Sequence, residues 1–224
     1  MKPLNLKLPF IIFNGVAVFD PVKNEYLRKN FLESQLAISI IEDVKLLNPF
    51  IFINENDTEN SIYHRQPLNS GQYNFINSPV NKGEKSFKQI TTYDFLNSQH
   101  EYISIACIDK KENLLELYNK YSSNPLLEIH LTEDVYQNEF YWLEFAKKGS
   151  TKKDAIIFLK EYLNATSLIT FGDNLNDISM FTIADKSYAV SNAHHDLKKI
   201  ANEIIGSNLE NSVVKKIHSD FFNL

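Results

Sequence analysis

The last third of the chain alternates short apolar runs with helical segments, and no other feature restricts the possible folds as much. Residues 153–163 have helical spacing, and apolar β-rich runs follow at residues 167–171 and 188–190. Further segments continue the alternation: helices at residues 178–184, 194–202 and 212–218, and a short strand at residues 203–205. Because strands that alternate with helices normally lie parallel in one sheet, the pattern predicts a parallel sheet with helices outside it.

The first two thirds of the chain predict a separate layer of mixed α and β structure. Asn14-Gly15 separates two apolar runs and predicts a hairpin, because both residue types tolerate positive φ. A strand, a helix and two more strands indicate an antiparallel sheet with helices on one face, at residues 102–108, 112–121, 126–131 and 140–145. The remaining predictions are a helix at residues 30–47, strands at residues 50–53 and 61–65, and mainly loop at residues 67–88.

Charge and composition argue against several classes of protein. The formal net charge is −5, which argues against nucleic acid as the main partner, because such binding needs a basic face. No apolar run approaches the roughly 20 residues that span a bilayer, so we expect no membrane partner. Cys107 is the single cysteine, so a disulfide framework is not possible, and we expect the protein in the cytoplasm.

An apolar strand ends at Gly172, which permits a sharp turn into a cluster of polar side chains. The cluster consists of Asp173, Asn174, Asn176 and Asp177. Ligands of open parallel sheets bind outside the carboxyl ends of strands, and Mg²⁺ usually takes one or two protein carboxylates together with water and phosphate. Asp173 is therefore a candidate Mg²⁺ ligand, with Asn176 and Asp177 as supporting hydrogen-bond groups. The alternative is that these residues only turn the chain and cap the next helix.

Lys152 is a candidate cation for the same site. It stands at the start of the helix that leads into this strand, so its ammonium group could reach the strand end. An ammonium group there would bind a phosphate or restrain a neighbouring carboxylate in a chain whose net charge is negative. The alternative is a surface lysine in a group that also contains Lys147, Lys148 and Lys153.

Four motifs occur in a fixed order along the chain. They are the strand and turn Pro-Phe-Ile-Ile-Phe-Asn-Gly15, then Lys152 with Phe-Gly-Asp-Asn-Leu-Asn-Asp177, then Ala-Val-Ser-Asn-Ala193, and finally Ser-Asn-Leu-Glu-Asn-Ser-Val213. This set resembles haloacid dehalogenase (HAD) superfamily phosphatases of the Cof type. The similarity is good over residues 6–20 and 147–218, and only general in the region between them.

The resemblance implies a fold and a role for each site residue. The fold is α/β, with a partial doubly wound, Rossmann-like core at residues 1–20 and 147–224 and a large inserted α+β cap domain at residues 21–146, which selects the substrate. By resemblance, Asp173 is the Mg²⁺ ligand and Lys152 contacts phosphate and nucleophile. Asn176 contacts phosphate or substrate, and Asp177 supports the catalytic groups.

The sequence departs from the family pattern at the nucleophile. Family members begin with a strand that ends in Asp-x-Asp-Gly-Thr, whose first aspartate attacks phosphorus, and this sequence contains no Asp-x-Asp. In a sheet of order 3-2-1-4-5, the two absent strands would lie between the strands at residues 9–13 and 167–171. We therefore expect one of three outcomes: the chain is truncated, it needs a complementing N-terminal segment, or it pairs those two strands directly. In each case we expect that the chain does not hydrolyse phosphate esters alone, and an incomplete sheet favours self-association.

Two functions from different classes follow from this reasoning. The first is a Mg²⁺-dependent hydrolase, a phosphatase of small phosphorylated metabolites, of which this chain carries part of the machinery. The alternative is a non-catalytic remnant that keeps the cap and part of the anion site as a binding or interaction module. An Asp-x-Asp-Gly-Thr motif directly upstream in the genome would favour the phosphatase, and its absence would favour the remnant.

Overall fold

The computed structural model describes residues 6–56, 59–134, 137 and 139–222. The chain divides into two compact units, the first extending to Ser150 and the second beginning at Thr151. Within the described residues, no helix has both the length and the apolar character needed to cross a membrane. Residues 6–20 lie in the first unit, and their assignment by resemblance to a core with residues 147–224 stays a prediction.

The first unit begins with a three-stranded antiparallel sheet. Its strands are β1 (Phe10–Ile12), β2 (Ala17–Asp20) and β3 (Glu25–Lys29). The chain reverses between β1 and β2 through Asn14 and Gly15, which have φ values of 54° and 109°. The predicted hairpin is confirmed, whereas β3 has no counterpart in the sequence-based prediction.

Three α-helices lie in the described part of the first unit. They are α1 (Ser34–Val44), α2 (Ser70–Ile76) and α3 (Lys111–Tyr121). The helix predicted at residues 30–47 begins four residues late, because the backbone N–H of Leu32 donates to the carbonyl of Tyr102 (2.8 Å) and holds this stretch extended. Residues Lys45–Leu47 continue α1 as a 3₁₀ turn.

A six-stranded sheet forms the larger part of the first unit. In chain order, its strands are β4 (Phe50–Asn56), β5 (Glu59–His64), β6 (Phe87–Gln89), β7 (Glu101–Lys110), β8 (Leu127–Glu133) and β9 (Phe140–Lys147). Their order within the sheet is β6-β5-β4-β7-β9-β8; the β5–β6 pair is parallel and the other pairs are antiparallel. The predicted antiparallel layer is confirmed.

Helices cover both faces of this sheet. Neighbouring strand residues point to opposite faces, and Ile51 joins the buried cluster of α1 and α3 whereas Phe50 faces α2. On the α2 face, the Phe75 ring makes edge contacts with Phe50 (4.9 Å between centroids) and Trp142 (4.8 Å). The prediction of helices on one face is therefore wrong, because α2 forms within residues 67–88, which were expected to be mainly loop.

In its described residues, the second unit consists of a three-stranded parallel sheet and four α-helices. In chain order, its elements are α4 (Lys152–Tyr162), β10 (Ile169–Gly172), α5 (Ile178–Phe181), β11 (Lys186–Val190), α6 (His195–Ile200), β12 (Glu203–Ile205) and α7 (Ser212–Phe221). The strand order is β10-β11-β12, and both pairs are parallel. The predicted parallel sheet with helices is confirmed. In the described residues β1 and β10 lie in separate sheets, so the alternative in which these two strands pair directly is wrong.

Candidate functional site

A capping box fixes the start of α4 and with it the first residue of the candidate site. The hydroxyl of Thr151 accepts from the backbone N–H of Asp154 (3.2 Å), and the Asp154 carboxylate accepts from the N–H of Thr151 (3.3 Å). This reciprocal pair satisfies two N–H groups that a helix start leaves open. Lys152 is therefore held in the first turn, and its Nζ lies 2.5 Å from Oδ1 of Asp177.

The buried carboxylate of Asp177 makes most of the side-chain contacts that hold the loop after β10. Its side chain is only 5% exposed, and its Oδ2 accepts from the backbone N–H groups of Asp173 (2.9 Å) and Asn174 (3.1 Å). One carboxylate thus binds the Lys152 ammonium group with one oxygen and holds the turn with the other. Such charge-assisted hydrogen bonds are roughly twice as strong as neutral ones, so the loop is held at its sharpest point.

Gly172 is required here by close packing. A Cβ at this position would lie 2.8 Å from both Cβ and Oδ2 of Asp177, and 2.9 Å from Cε1 of Phe181. The absence of a side chain therefore lets the Asp177 carboxylate fold back against the end of β10. The sequence prediction named Gly172 for the freedom of its backbone, whereas the structure shows that a side chain would displace its neighbours.

Asp173 and Asn176 are exposed, in contrast to Asp177. The carbonyl of Asp173 accepts from the backbone N–H of His194 (2.8 Å), so the loop after β11 also holds this residue in place. Asn174 caps the following 3₁₀ turn, as the turn-and-cap alternative predicts. That alternative describes Asn174 and Asp177 well. Among the described residues, the exposed carboxylate of Asp173 makes no hydrogen bond or ion pair.

The described residues fit a magnesium ion held by one protein carboxylate. They contain no group of three His, Cys, Asp or Glu side chains that could enclose a metal ion. Both oxygens of Asp177 are engaged, so Asp173 is the carboxylate that remains exposed at the end of β10. Mg²⁺ commonly keeps several waters and takes further oxygens from a substrate phosphate, so a single exposed aspartate suits it better than a closed cage.

A second group of polar residues lies at the same edge of the parallel sheet. After β11 and β12, the side chain of Asn192 donates to Asn208 (3.0 Å) and accepts from Ser207 (3.2 Å). These residues belong to two of the four motifs quoted above, to which no individual role was given. Their position directly after two neighbouring parallel strands is the signal for a role at this sheet edge.

Comparisons with known proteins identify similar chains. The family model of haloacid dehalogenase-like hydrolases matches residues 1–217. A stretch of 82 residues is 32% identical to a Haemophilus influenzae protein provisionally named a phosphatase, covering 36% of this chain and 31% of that protein. A stretch of 53 residues is 42% identical to pyridoxal phosphate phosphatase YbhA of Escherichia coli, covering 24% of this chain and 20% of that protein.

The solved structure of a haloacid dehalogenase-like hydrolase from B. subtilis is also similar. It matches with a TM-score of 0.76 at 20% identity, over 98% of this chain and 81% of that chain. At this identity the likeness shows the fold alone. The matched stretches span about a third and a fifth of the H. influenzae and E. coli proteins, so their activities are not transferred by similarity alone.

Proposed function

This chain belongs to the haloacid dehalogenase-like hydrolases, and we propose that it forms the phosphate- and metal-binding part of a phosphatase of small phosphorylated metabolites. The observation that carries the proposal is the Lys152–Asp177 pair at the carboxyl end of β10. The Lys152 side chain is 26% exposed, and Asp177 binds its ammonium group. A chain with net charge −5 needs such a local cation to bind an anionic substrate.

Each site residue has a separate role in this proposal. Lys152 binds a phosphoryl oxygen and neutralises charge that develops during transfer. Asp177 orients Lys152, and Asn176 contributes an amide to the phosphate or the substrate. Asp173 would hold Mg²⁺, which when bound polarises the phosphoryl group and neutralises its charge.

In this proposal the nucleophile comes from outside this chain. The 224 residues contain no two aspartates separated by one position, which is the arrangement that supplies the nucleophile by resemblance. We therefore propose that the chain alone is inactive and that a complementing N-terminal segment, or self-association, completes the catalytic site. The proposed location is the cytoplasm, where phosphorylated metabolites are found.

Phosphate binding tests the candidate site without requiring turnover. Titration calorimetry with inorganic phosphate in the presence of MgCl₂ should detect binding to the wild-type chain. We expect Asp173→Asn and Lys152→Met to weaken it at least tenfold, about 1.4 kcal/mol, because each removes one charged contact. Glu161→Gln and Lys153→Met are matched controls on α4, outside the proposed contacts, and should bind normally. Equal binding by all five proteins would refute the site.

A turnover assay tests the proposed dependence on an external nucleophile. With Mg²⁺ and p-nitrophenyl phosphate, the purified chain should release no nitrophenol above background. Hydrolysis that is abolished by Asp173→Ala would overturn the proposed inactivity while supporting the site. The alternative function, a non-catalytic binding module, is favoured if phosphate binds without Mg²⁺ and is insensitive to Asp173→Asn.

A further inference from the structure

The side chain of Asn192 joins the loops that follow β11 and β12. Its Oδ1 accepts from the hydroxyl of Ser207 (3.2 Å) and from the backbone N–H of Asn208 (3.2 Å), while its Nδ2 donates to Oδ1 of Asn208 (3.0 Å). A primary amide has one acceptor and one donor group, and both are used here. The loop after β11 is therefore attached to the loop after β12 through this one side chain.

Two further contacts fix the loop after β11. The backbone N–H of Ala193 donates to the carbonyl of Val190 (2.9 Å), and the Ala193 side chain belongs to the buried cluster that contains Leu197. The Nζ of Lys198 donates to the carbonyl of Ser191 (3.1 Å). These contacts hold the loop to its own strand and to α6, whereas Asn192 holds it to the neighbouring loop.

The same loop contacts the candidate metal ligand. The backbone N–H of His194, two residues after Asn192, donates to the carbonyl of Asp173 (2.8 Å). The backbone N–H of Asp173 itself donates to Oδ2 of Asp177 (2.9 Å). The two peptide groups that flank the Cα of Asp173 are thus held from two sides, by its own loop and by the loop after β11. Since one CH₂ group joins the carboxylate to this backbone, the backbone position determines where the carboxylate can lie.

We propose that Asn192 is a positioning residue for the metal-binding carboxylate of Asp173. Its hydrogen bonds to Ser207 and Asn208 fix the loop from which His194 holds the Asp173 backbone. Groups that orient a metal ligand without touching the metal commonly change the affinity for the metal when they are removed. This inference rests on the proposed role of Asp173 toward Mg²⁺.

Amide hydrogen exchange tests the link between the two loops and Asp173. In the full chain, Asn192→Ala should make the His194 amide exchange roughly tenfold faster, because the loop then opens more often. The matched control is Asn202→Ala. The Oδ1 of Asn202 accepts from the backbone N–H (2.7 Å) and the hydroxyl (2.8 Å) of Ser187, near the opposite end of β11. This control should accelerate the Ser187 amide alone, and a wild-type rate at His194 in Asn192→Ala would overturn the proposal.

Binding of Mn²⁺ tests the consequence for the metal. Mn²⁺ shares the preference of Mg²⁺ for oxygen ligands, and its electron paramagnetic resonance signal reports the free ion. We expect Asn192→Ala to bind Mn²⁺ roughly tenfold more weakly than the wild type, and Asn202→Ala to bind it equally well. Asn208→Ala removes one of the contacts of Asn192 and keeps the backbone N–H, so it should give an intermediate loss. It also tests the proposal if Asn192→Ala does not fold.

Titration of phosphate separates a positioning role from general structural damage. Asn192→Ala leaves Lys152 unchanged, so its affinity for inorganic phosphate should return to the wild-type value when MgCl₂ is saturating. A deficit that saturating MgCl₂ does not remove would contradict a role that acts through the metal ligand.

Asp173→Asn distinguishes failure of this inference from failure of the proposed function. It should abolish binding of Mn²⁺. Equal binding by Asp173→Asn and the wild type, or no binding by either, would refute the metal role of Asp173 and the inference with it. If Asp173→Asn loses Mn²⁺ while Asn192→Ala and Asn208→Ala bind as tightly as the wild type, the role of Asn192 alone is refuted.

Discussion

At the scale of single residues, the candidate site depends on a carboxylate that water hardly reaches. The Asp177 side chain is 5% exposed, and its partner Lys152 is 26% exposed. A buried charge that loses its partner keeps its cost of desolvation, whereas removal of both charges relieves it. The pair therefore stabilises the loop after β10 only as long as both members are present.

We predict that Lys152→Met lowers the free energy of unfolding of the second unit by about 2 kcal/mol. The double variant Lys152→Met/Asp177→Asn should lose less than the sum of the two single variants, because the asparagine carries no unpaired charge. Hydrogen exchange of β11 amides measures both effects, and Lys153→Met on the same helix serves as the control. Strictly additive losses would show that the two side chains are not coupled.

At the scale of elements, α1 and α3 are joined by charged side chains at their C-terminal ends. The Lys120 Nζ lies 2.5 Å from Oδ2 of Asp43, and the Tyr121 hydroxyl donates to the same oxygen. The hydrogen bond from Lys120 lowers the pKa of Asp43, and that from Tyr121 adds to the effect. Burial, together with the hydrogen bond to Asp43, raises the pKa of Tyr121 to about 12.

This link predicts a dependence of stability on acid pH. The folded pKa of Asp43 lies below its unfolded value of about 3.9, so its contribution is complete above that value and is lost as pH falls through the folded pKa. Asp43→Asn should cost about 1 kcal/mol or less at pH 6, because the Asp43 side chain is 32% exposed. The difference from wild type should shrink at pH 3. Urea unfolding followed by Trp142 fluorescence tests this, with Glu116→Gln as the control.

The elements also show what could be predicted from the sequence. Periodicity and turn residues correctly predicted the hairpin at Asn14-Gly15 and the alternation of helices and strands in the second unit, because those signals are local. They did not predict α2, because residues 67–88 contain two glycines, two prolines and several asparagines, which indicate a loop. One of these glycines, Gly71, lies within α2. Its missing Cβ allows α2 to approach the sheet, where a methyl group would lie 2.7 Å from the Phe140 ring and 2.9 Å from Ile108.

The candidate site could also be predicted from the sequence only in part. The sequence placed Lys152 and Asp173 at one strand end, but the partner of Lys152 in the structure is Asp177. That pairing depends on the turn that folds Asp177 back against Gly172, and the turn is set by contacts between residues rather than by spacing. The roles of Asp173 and Asn176 toward metal and phosphate stay predictions.

At the scale of the whole molecule, the two units have separate buried cores of unequal size. The first unit contains a large cluster between the six-stranded sheet and the helices α1 and α3, with two smaller clusters on the opposite face. Among its described residues, the second unit has one small buried cluster, which includes Phe181, Val190 and Leu197. Because hydrophobic burial is the main source of stability, the second unit should unfold first.

Two substitutions of a buried leucine by alanine distinguish the two cores during urea unfolding. The one tryptophan, Trp142, lies in the first unit, so its fluorescence reports that unit, whereas far-UV circular dichroism reports both. We expect the dichroism transition to begin at lower urea than the fluorescence transition. Leu197→Ala should cost about 3 kcal/mol and move only the dichroism transition, while Leu143→Ala, at an equally buried position, should lower the fluorescence midpoint. A single transition that both variants move equally would mean that the two cores unfold as one cooperative structure.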